Sequence, residues 1–236
     1  MVAKEGEYYM DFALVGFIII GLLIDVIFIR TEYAGEMEKA TVLKGLASFV
    51  FVLLGAYCHN SHVSKYGKFI LLGLLLGMVG DILLNLRNIL KGSVSMKVFA
   101  LGILAFLSGH FLYIAALIKR DSSNLLLAII MTVIISVVTI PPLMKRINAP
   151  SKGLKLFGYV YLVIVIAMFS CAASLFFKNS ASELYQLFVI GGLLFMVSDF
   201  IMIYYSFGKK IKPLRAINLL SYYVGQILIA LTILFA

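Results

Sequence analysis

Eight apolar runs, separated by short polar connections, account for nearly all of this chain. They fall at about 10–29, 41–58, 69–87, 97–118, 124–142, 154–177, 184–206 and 214–235. About 20 helical residues cross the hydrocarbon core of a bilayer. Inside lipid, a helix satisfies its backbone hydrogen bonds without help from water. The runs therefore predict an all-α, polytopic membrane protein of eight transmembrane helices, with one integral membrane domain over residues 1–236. The chain is 63% hydrophobic and only 13% charged, too little polar surface to cover a soluble domain of this size. Pro141 and Pro142 are expected to end or bend the fifth helix, since proline lacks the backbone donor.

The formal net charge of +9 does not point to nucleic acid. The basic residues flank apolar runs, where they orient helices and meet anionic lipid. Cys58 and Cys171 form neither a disulfide framework nor a paired metal motif. The lead-in "MVAKEGEYYM" lacks the basic start of a signal peptide, so the first run reads as a retained helix. Connections 1–2, 3–4, 5–6 and 7–8 hold thirteen Lys and Arg residues. The opposite side holds six, Lys4 among them, with Lys44 left out as intramembrane. This bias places both termini outside the cytoplasm, and in a bacterium the membrane would be the plasma membrane.

Two stretches resemble each other. In "GLLLGMVGDILLNL" (73–86) and "GGLLFMVSDFIMIY" (191–204), Gly73, Leu75, Leu76, Met78, Val79 and Asp81 meet Gly191, Leu193, Leu194, Met196, Val197 and Asp199 at an offset of 118. "GHFLYIA" from Gly109 similarly meets "GQILIAL" from Gly225 at an offset of 116. A parallel four-plus-four repeat, with halves 1–120 and 121–236, is one reading, and chance similarity of Leu-rich helices is the other. An even number of helices per half gives a pseudo-two-fold axis along the membrane normal. Such an axis would set Asp81 and Asp199 at equal depth, facing each other.

Ionisable groups inside a bilayer cost about 3 kcal/mol on insertion scales unless they face a partner or a wet cavity. This chain has few such groups or other strongly polar side chains in its runs: Asp25, Lys44, Asp81 with Asn85 one turn on, His110 with Tyr113, Ser198 with Asp199, and the stripe Asn218, Tyr222, Gln226. Given the orientation above, most of them fall at one depth, which predicts a pocket open to the cytoplasmic leaflet. Plainer roles exist for several. Asp25 and Lys44 could form a structural ion pair, His110 could be a hydrogen-bonded core residue, and Asn218 and Gln226 could join helices. Gly73 and Gly77 read as helix packing, and His59 and His62 as interfacial loop residues. Two carboxylates at matched depth would share a proton, a disposition suited to acid–base chemistry.

Taken in order, "GDILLN", "FALGILAFLSGHFLYIAAL", "GGLLFMVSDF" and "YYVGQILIA" resemble the YhhN family, which includes the lysoplasmalogenases. The resemblance implies hydrolysis of the vinyl ether bond of a lysophospholipid, giving a fatty aldehyde and a glycerophospho-base. By position it implies roles for Lys44, Asp81, His110, Tyr113, Ser198, Asp199, Tyr222 and Gln226. Gly45 stands where the family often has proline, and Phe200 stands in the third place of its S-D-S motif. The chemistry asks for one protonated carboxyl and one ionised carboxylate, here Asp81 and Asp199 in either order. Lys44 would hold the lipid phosphate, while Tyr113, Tyr222 and Asn85 would position water or glycerol oxygens. Asp25 would support the site. The expected partners are the lysophospholipid and membrane lipids, with no nucleic acid, cofactor or metal. A small proton-coupled carrier is the rival from another class. A third reading is an ester or amide hydrolase using Ser198.

Overall fold

The computed structural model describes residues 11–148 and 151–236. Lys4 and the expected helix start at Met10 lie outside the described residues. Eight helices make up the fold: α1 (Phe12–Tyr33), α2 (Met37–Ser61), α3 (Lys65–Leu86), α4 (Gly92–Arg120), α5 (Leu125–Met144), α6 (Lys152–Lys178), α7 (Glu183–Phe207) and α8 (Lys212–Leu231). A 3₁₀ turn, Thr232–Phe235, follows α8. All eight are long and apolar enough to cross a membrane. Most run a few residues beyond their apolar cores, because the chain stays helical into its polar flanks. The last turn of α5 includes both Pro141 and Pro142 and continues to Met144. Pro141 and Pro142 thus precede the last helical residue by three and two positions.

Short caps and turns set the ends. Ser64 and Ser151 accept hydrogen bonds from the Gly67 and Leu154 amides at the starts of α3 and α6, satisfying donors that lack a helical partner. Gly35 in the α1–α2 connection and Gly92 at the first position of α4 adopt φ of +83° and +62°, a conformation glycine takes without steric cost. On the opposite face, Lys178 donates to Asp121 and Ser123. The Lys178 ammonium holds the Asp121 carboxyl below the ordinary carboxylate range.

The packing order places the site. Each half is a chain of neighbours, α1–α2–α3–α4 and α5–α6–α7–α8. The halves join where α2 meets α8 and where α4 meets α6, contacts related by a shift of four helices. α1 also lies along α8, while α5 presents Leu126, Val133, Val137 and Val138 outward. That belt would be a liability in water and is a lipid-facing surface in a bilayer.

Glycines bring the central helices together. A Cβ on Gly109 would lie 3.1 Å from the Gly73 carbonyl oxygen. In the second half, a Cβ on either Gly191 or Gly225 would lie 2.9 Å from the other's carbonyl oxygen. These pairs stand at the offsets found in the sequence. Backbones approach this closely only where side chains are missing.

Gly225→Ala should therefore lower stability by about 1–3 kcal/mol, as overpacking does, since its new methyl meets backbone. Gly16→Ala, with nothing within 4 Å of the new methyl, should change little. Thermal unfolding of the two purified variants checks the difference.

Candidate functional site

The site begins with a carboxylate in the middle of an apolar helix. Asp81 on α3 is 1% exposed, and a charge there needs close partners. The helix before it supplies two. Lys44 Nζ lies 3.1 Å from Asp81 Oδ1, and Ser48 Oγ, one turn further along α2, donates to Oδ2 at 2.6 Å. The third comes from α8, where the Tyr222 hydroxyl donates to Oδ2 at 2.6 Å. Behind it, Gln226 Nε2 donates to the Tyr222 oxygen at 3.2 Å, and the Tyr113 hydroxyl donates to Gln226 Oε1 at 2.9 Å. A chain of hydrogen bonds thus runs from α4 through α8 to the carboxylate. Gly73 and Gly77 leave room for it: a Cβ at 73 would overlap the Tyr113 ring, and one at 77 would lie 2.9 Å from Gln226 Nε2. Beyond helix packing, these two glycines make space for site side chains.

Asp199 on α7 is 4% exposed and has a sparser set of partners. The Tyr161 hydroxyl, from α6, donates to its Oδ2 at 2.7 Å. His110 Nε2, from α4, lies 3.7 Å from the same oxygen and 3.4 Å from the Tyr161 hydroxyl. The other ring nitrogen, His110 Nδ1, is buried without a hydrogen-bond partner among the described residues.

No hydrogen bond joins the two carboxylates among the described residues. Each has its own partners, and aromatic rings connect the groups. Phe195 lies 4.8 Å from the His110 ring and 5.2 Å from Tyr222, with Phe106 5.9 Å from Tyr222. The single shared pocket expected from the sequence is thus two hydrogen-bonded clusters with an aromatic bridge. The assignments cross between halves: α8 completes the Asp81 cluster, and α4 completes the Asp199 cluster.

Polar residues toward the α7–α8 connection form an outer layer. Arg215 makes a bidentate pair with Glu32, at 2.7 and 2.9 Å, and donates to Asn218 Oδ1 at 2.8 Å. Asn218 Nδ2 in turn donates to the carbonyl and hydroxyl oxygens of Ser198, both at 2.8 Å. Asn85 donates to Thr41 at 3.1 Å. A cavity of about 370 Å³ opens here, with Lys44, Asn85, Arg87, Lys210 and Arg215 in its wall. An apolar cleft adjoins it, lined by Ile103, Met144, Phe157 and Tyr161 among others. Phe99, Met202 and Ser206 belong to both walls. Lys44 therefore connects the basic cavity to Asp81, and Tyr161 connects the apolar cleft to Asp199.

The YhhN family model matches residues 39–233. The chain belongs to the YhhN family. The matched region begins near the start of α2, so it takes in both aspartate clusters and leaves out α1 with Asp25 and Glu32. No curated protein and no solved structure matches the chain.

Within the YhhN region, the structure draws Lys44, Tyr222, Gln226 and Tyr113 to Asp81, and His110 to Asp199. Ser198 and Asn218 pair with each other, and Asn85 sits in the cavity wall. Lys44 is paired with Asp81 and not with Asp25. Both Asp25 oxygens are buried without a hydrogen-bond partner among the described residues. His59 is in the last turn of α2 and packs against Gly67, while His62 caps that helix. The sequence reading missed Ser48, Tyr161, Glu32, Arg87 and Arg215. Comparing α2 with α6 could have found Tyr161, since it stands 117 residues after Lys44 and holds the second aspartate as Lys44 holds the first.

Removing one member of a buried ion pair leaves an unpaired charge, at a cost of about 3–5 kcal/mol. Lys44→Met should destabilise the protein on that scale, and adding Asp81→Asn should restore part of the loss. Unfolding of the two singles and the double checks this as a double-mutant cycle.

Proposed function

We propose that this protein is a membrane-embedded lipid hydrolase that cleaves the vinyl ether bond of alkenyl-lysophospholipids. The observation that carries the reading is the placement of the two buried carboxylates. Each has a direct partner in the wall of one of two adjoining compartments, one polar and one apolar. Lys44, in the polar cavity, holds Asp81, and Tyr161, in the apolar cleft, holds Asp199. Membership of the YhhN family supports the same reading. The concentration of Lys and Arg on the cavity side agrees with a cytoplasmic opening and non-cytoplasmic termini. We read residues 1–120 and 121–236 as repeats that form one integral membrane domain.

The reaction adds water across an enol ether. A proton is added to the chain carbon remote from oxygen, and the ether oxygen stabilises the resulting oxocarbenium ion. Water then attacks the adjacent carbon and releases a proton. The hemiacetal collapses: the bond between that carbon and the ether oxygen breaks, the hydroxyl proton is lost as the carbonyl forms, and the departing oxygen takes up a proton. A fatty aldehyde and a glycerophospho-base leave. The two aspartates differ in a way that suits this sequence. Asp81 accepts from an ammonium and two hydroxyls. In our scheme it faces the developing cation and orients water. Asp199 has one hydroxyl and a histidine at its side, next to the cleft that would hold the chain, and delivers the proton. Its cluster with His110 and Tyr161 returns the proton released by water. The scheme parallels the division of labour between paired carboxyls in glycosidases.

The reading with Ser198 as a nucleophile has less support. Its hydroxyl oxygen accepts from Asn218, and no base is hydrogen-bonded to it among the described residues.

Purified protein should release aldehyde from an alkenyl-lysophospholipid bearing choline or ethanolamine. Asp199→Asn should lower turnover at least about 100-fold, the scale of a lost general acid, and Asp81→Asn should lower it as well, through lost charge stabilisation. Folded wild-type protein without turnover on either head group would sink the assignment.

A further inference from the structure

The basic cavity contains more cation than its protein partners use. Lys44, Arg87, Lys210 and Arg215 all line it, with Glu32 as the carboxylate in the wall. Lys44 is engaged by Asp81. Arg215 is engaged by Glu32 through both forks and by Asn218. Arg87 and Lys210 have no side-chain hydrogen bond or ion pair among the described residues. The Arg87 guanidinium instead lies 4.2 Å from the centre of the Phe99 ring. Stacking holds the plane of a guanidinium and leaves its edge donors available to a flat or tetrahedral anion. Phe99 also forms part of the apolar cleft. The uncommitted cation therefore stands where the polar cavity passes into the hydrocarbon-lined one.

We infer that Arg87, with Lys210, binds the phosphodiester of a single-chain phospholipid, whose chain passes Phe99 and Met202 into the apolar cleft. This rests on the lipid reading above and moves the phosphate from Lys44, which the sequence had suggested, to Arg87. The physical reason is charge balance. The single charge of Lys44 already offsets that of Asp81, so a phosphate there would set two anions against one cation, whereas Arg87 has no anionic partner among the described residues. Lys210 is exposed on the α7–α8 connection and adds a second positive charge at the cavity mouth. The neighbouring Glu32 is kept from repelling the phosphate by its pair with Arg215.

The test uses the full chain in lipid nanodiscs and a saturated 1-O-alkyl-lysophosphocholine, which has no vinyl ether to cleave. Binding is read by isothermal titration for wild type, Arg87→Ala, Arg87→Lys and Lys210→Ala. Arg87→Ala should weaken binding about tenfold or more, the scale of a charge-assisted bidentate contact. Arg87→Lys should recover part of the loss, and Lys210→Ala should weaken binding a few-fold. The phosphate-free 1-O-alkylglycerol should bind wild type and Arg87→Ala alike, which also shows the variant to be folded. Equal binding of the phospholipid by wild type and Arg87→Ala would overturn the inference. So would inorganic phosphate or glycerophosphocholine binding as tightly as the lipid, since that describes a site for a soluble anion. Because the probe cannot be hydrolysed, this result stands apart from aldehyde release. Phosphate-dependent binding without turnover would keep the site and remove the proposed reaction.

Discussion

The ion pair between Lys44 and Asp81 governs the arrangement of the central helices. A lone charge in a low-dielectric interior is costly, and an ion pair there is tolerated only when its remaining valences are also met. Asp81 meets that demand with Lys44 and Ser48 from α2 and Tyr222 from α8. Those partners lie on two helices, so α2, α3 and α8 must pack together at one depth. The tyrosine is itself held by Gln226, and Gln226 by Tyr113, which ties α4 into the same group. The glycines of α3 then become necessary, because side chains at 73 and 77 would occupy the space of Tyr113 and Gln226.

The second aspartate follows the same plan with different chemistry. A helix packed beside the aspartate helix supplies the first partner in each case, Lys44 for Asp81 and Tyr161 for Asp199. The last helix of the opposite half supplies another, Tyr222 or His110. Neither half contains a finished site. The exchange makes assembly of the two halves a condition for either carboxylate to be fully partnered. It also leaves the pair chemically unequal, since an ammonium stands on one side and a phenol on the other. In the proposed reaction, that inequality separates the carboxylate that stabilises charge from the acid that moves a proton.

Much of this was legible in the chain itself. The eight spans follow from apolar length, and the helix ends differ because charged flanks continue the helix beyond hydrocarbon. Asp81, Asp199, His110, Tyr222 and Gln226 were visible because polar groups are conspicuous in apolar runs. Ser48 and Tyr161 were not, since a serine or tyrosine in such a run is unremarkable until a carboxylate is seen beside it. Arg215 and Arg87 were counted only as flanking charges. Their different fates, one paired with Glu32 and the other stacked on Phe99, depend on which side chains face them across helix boundaries. The sequence reading offered a structural pair of Asp25 with Lys44 as one plainer alternative. The structure joins Lys44 to Asp81 because Lys44 and Ser48, one turn apart, both face α3.

The sequence by itself determined that the chain is a bundle of eight membrane-length helices with a few intramembrane polar residues at one level, because hydrophobic length and the cost of buried charge are local properties. It also carried the family motifs and the offsets of 118 and 116. Only the tertiary structure decided how those polar residues are shared. It placed the two carboxylates in separate clusters, crossed their partners between halves, and opened a basic cavity beside an apolar cleft. Those outcomes depend on helix rotation and on approach distances set by pairs of glycines, and neither is encoded in any one helix.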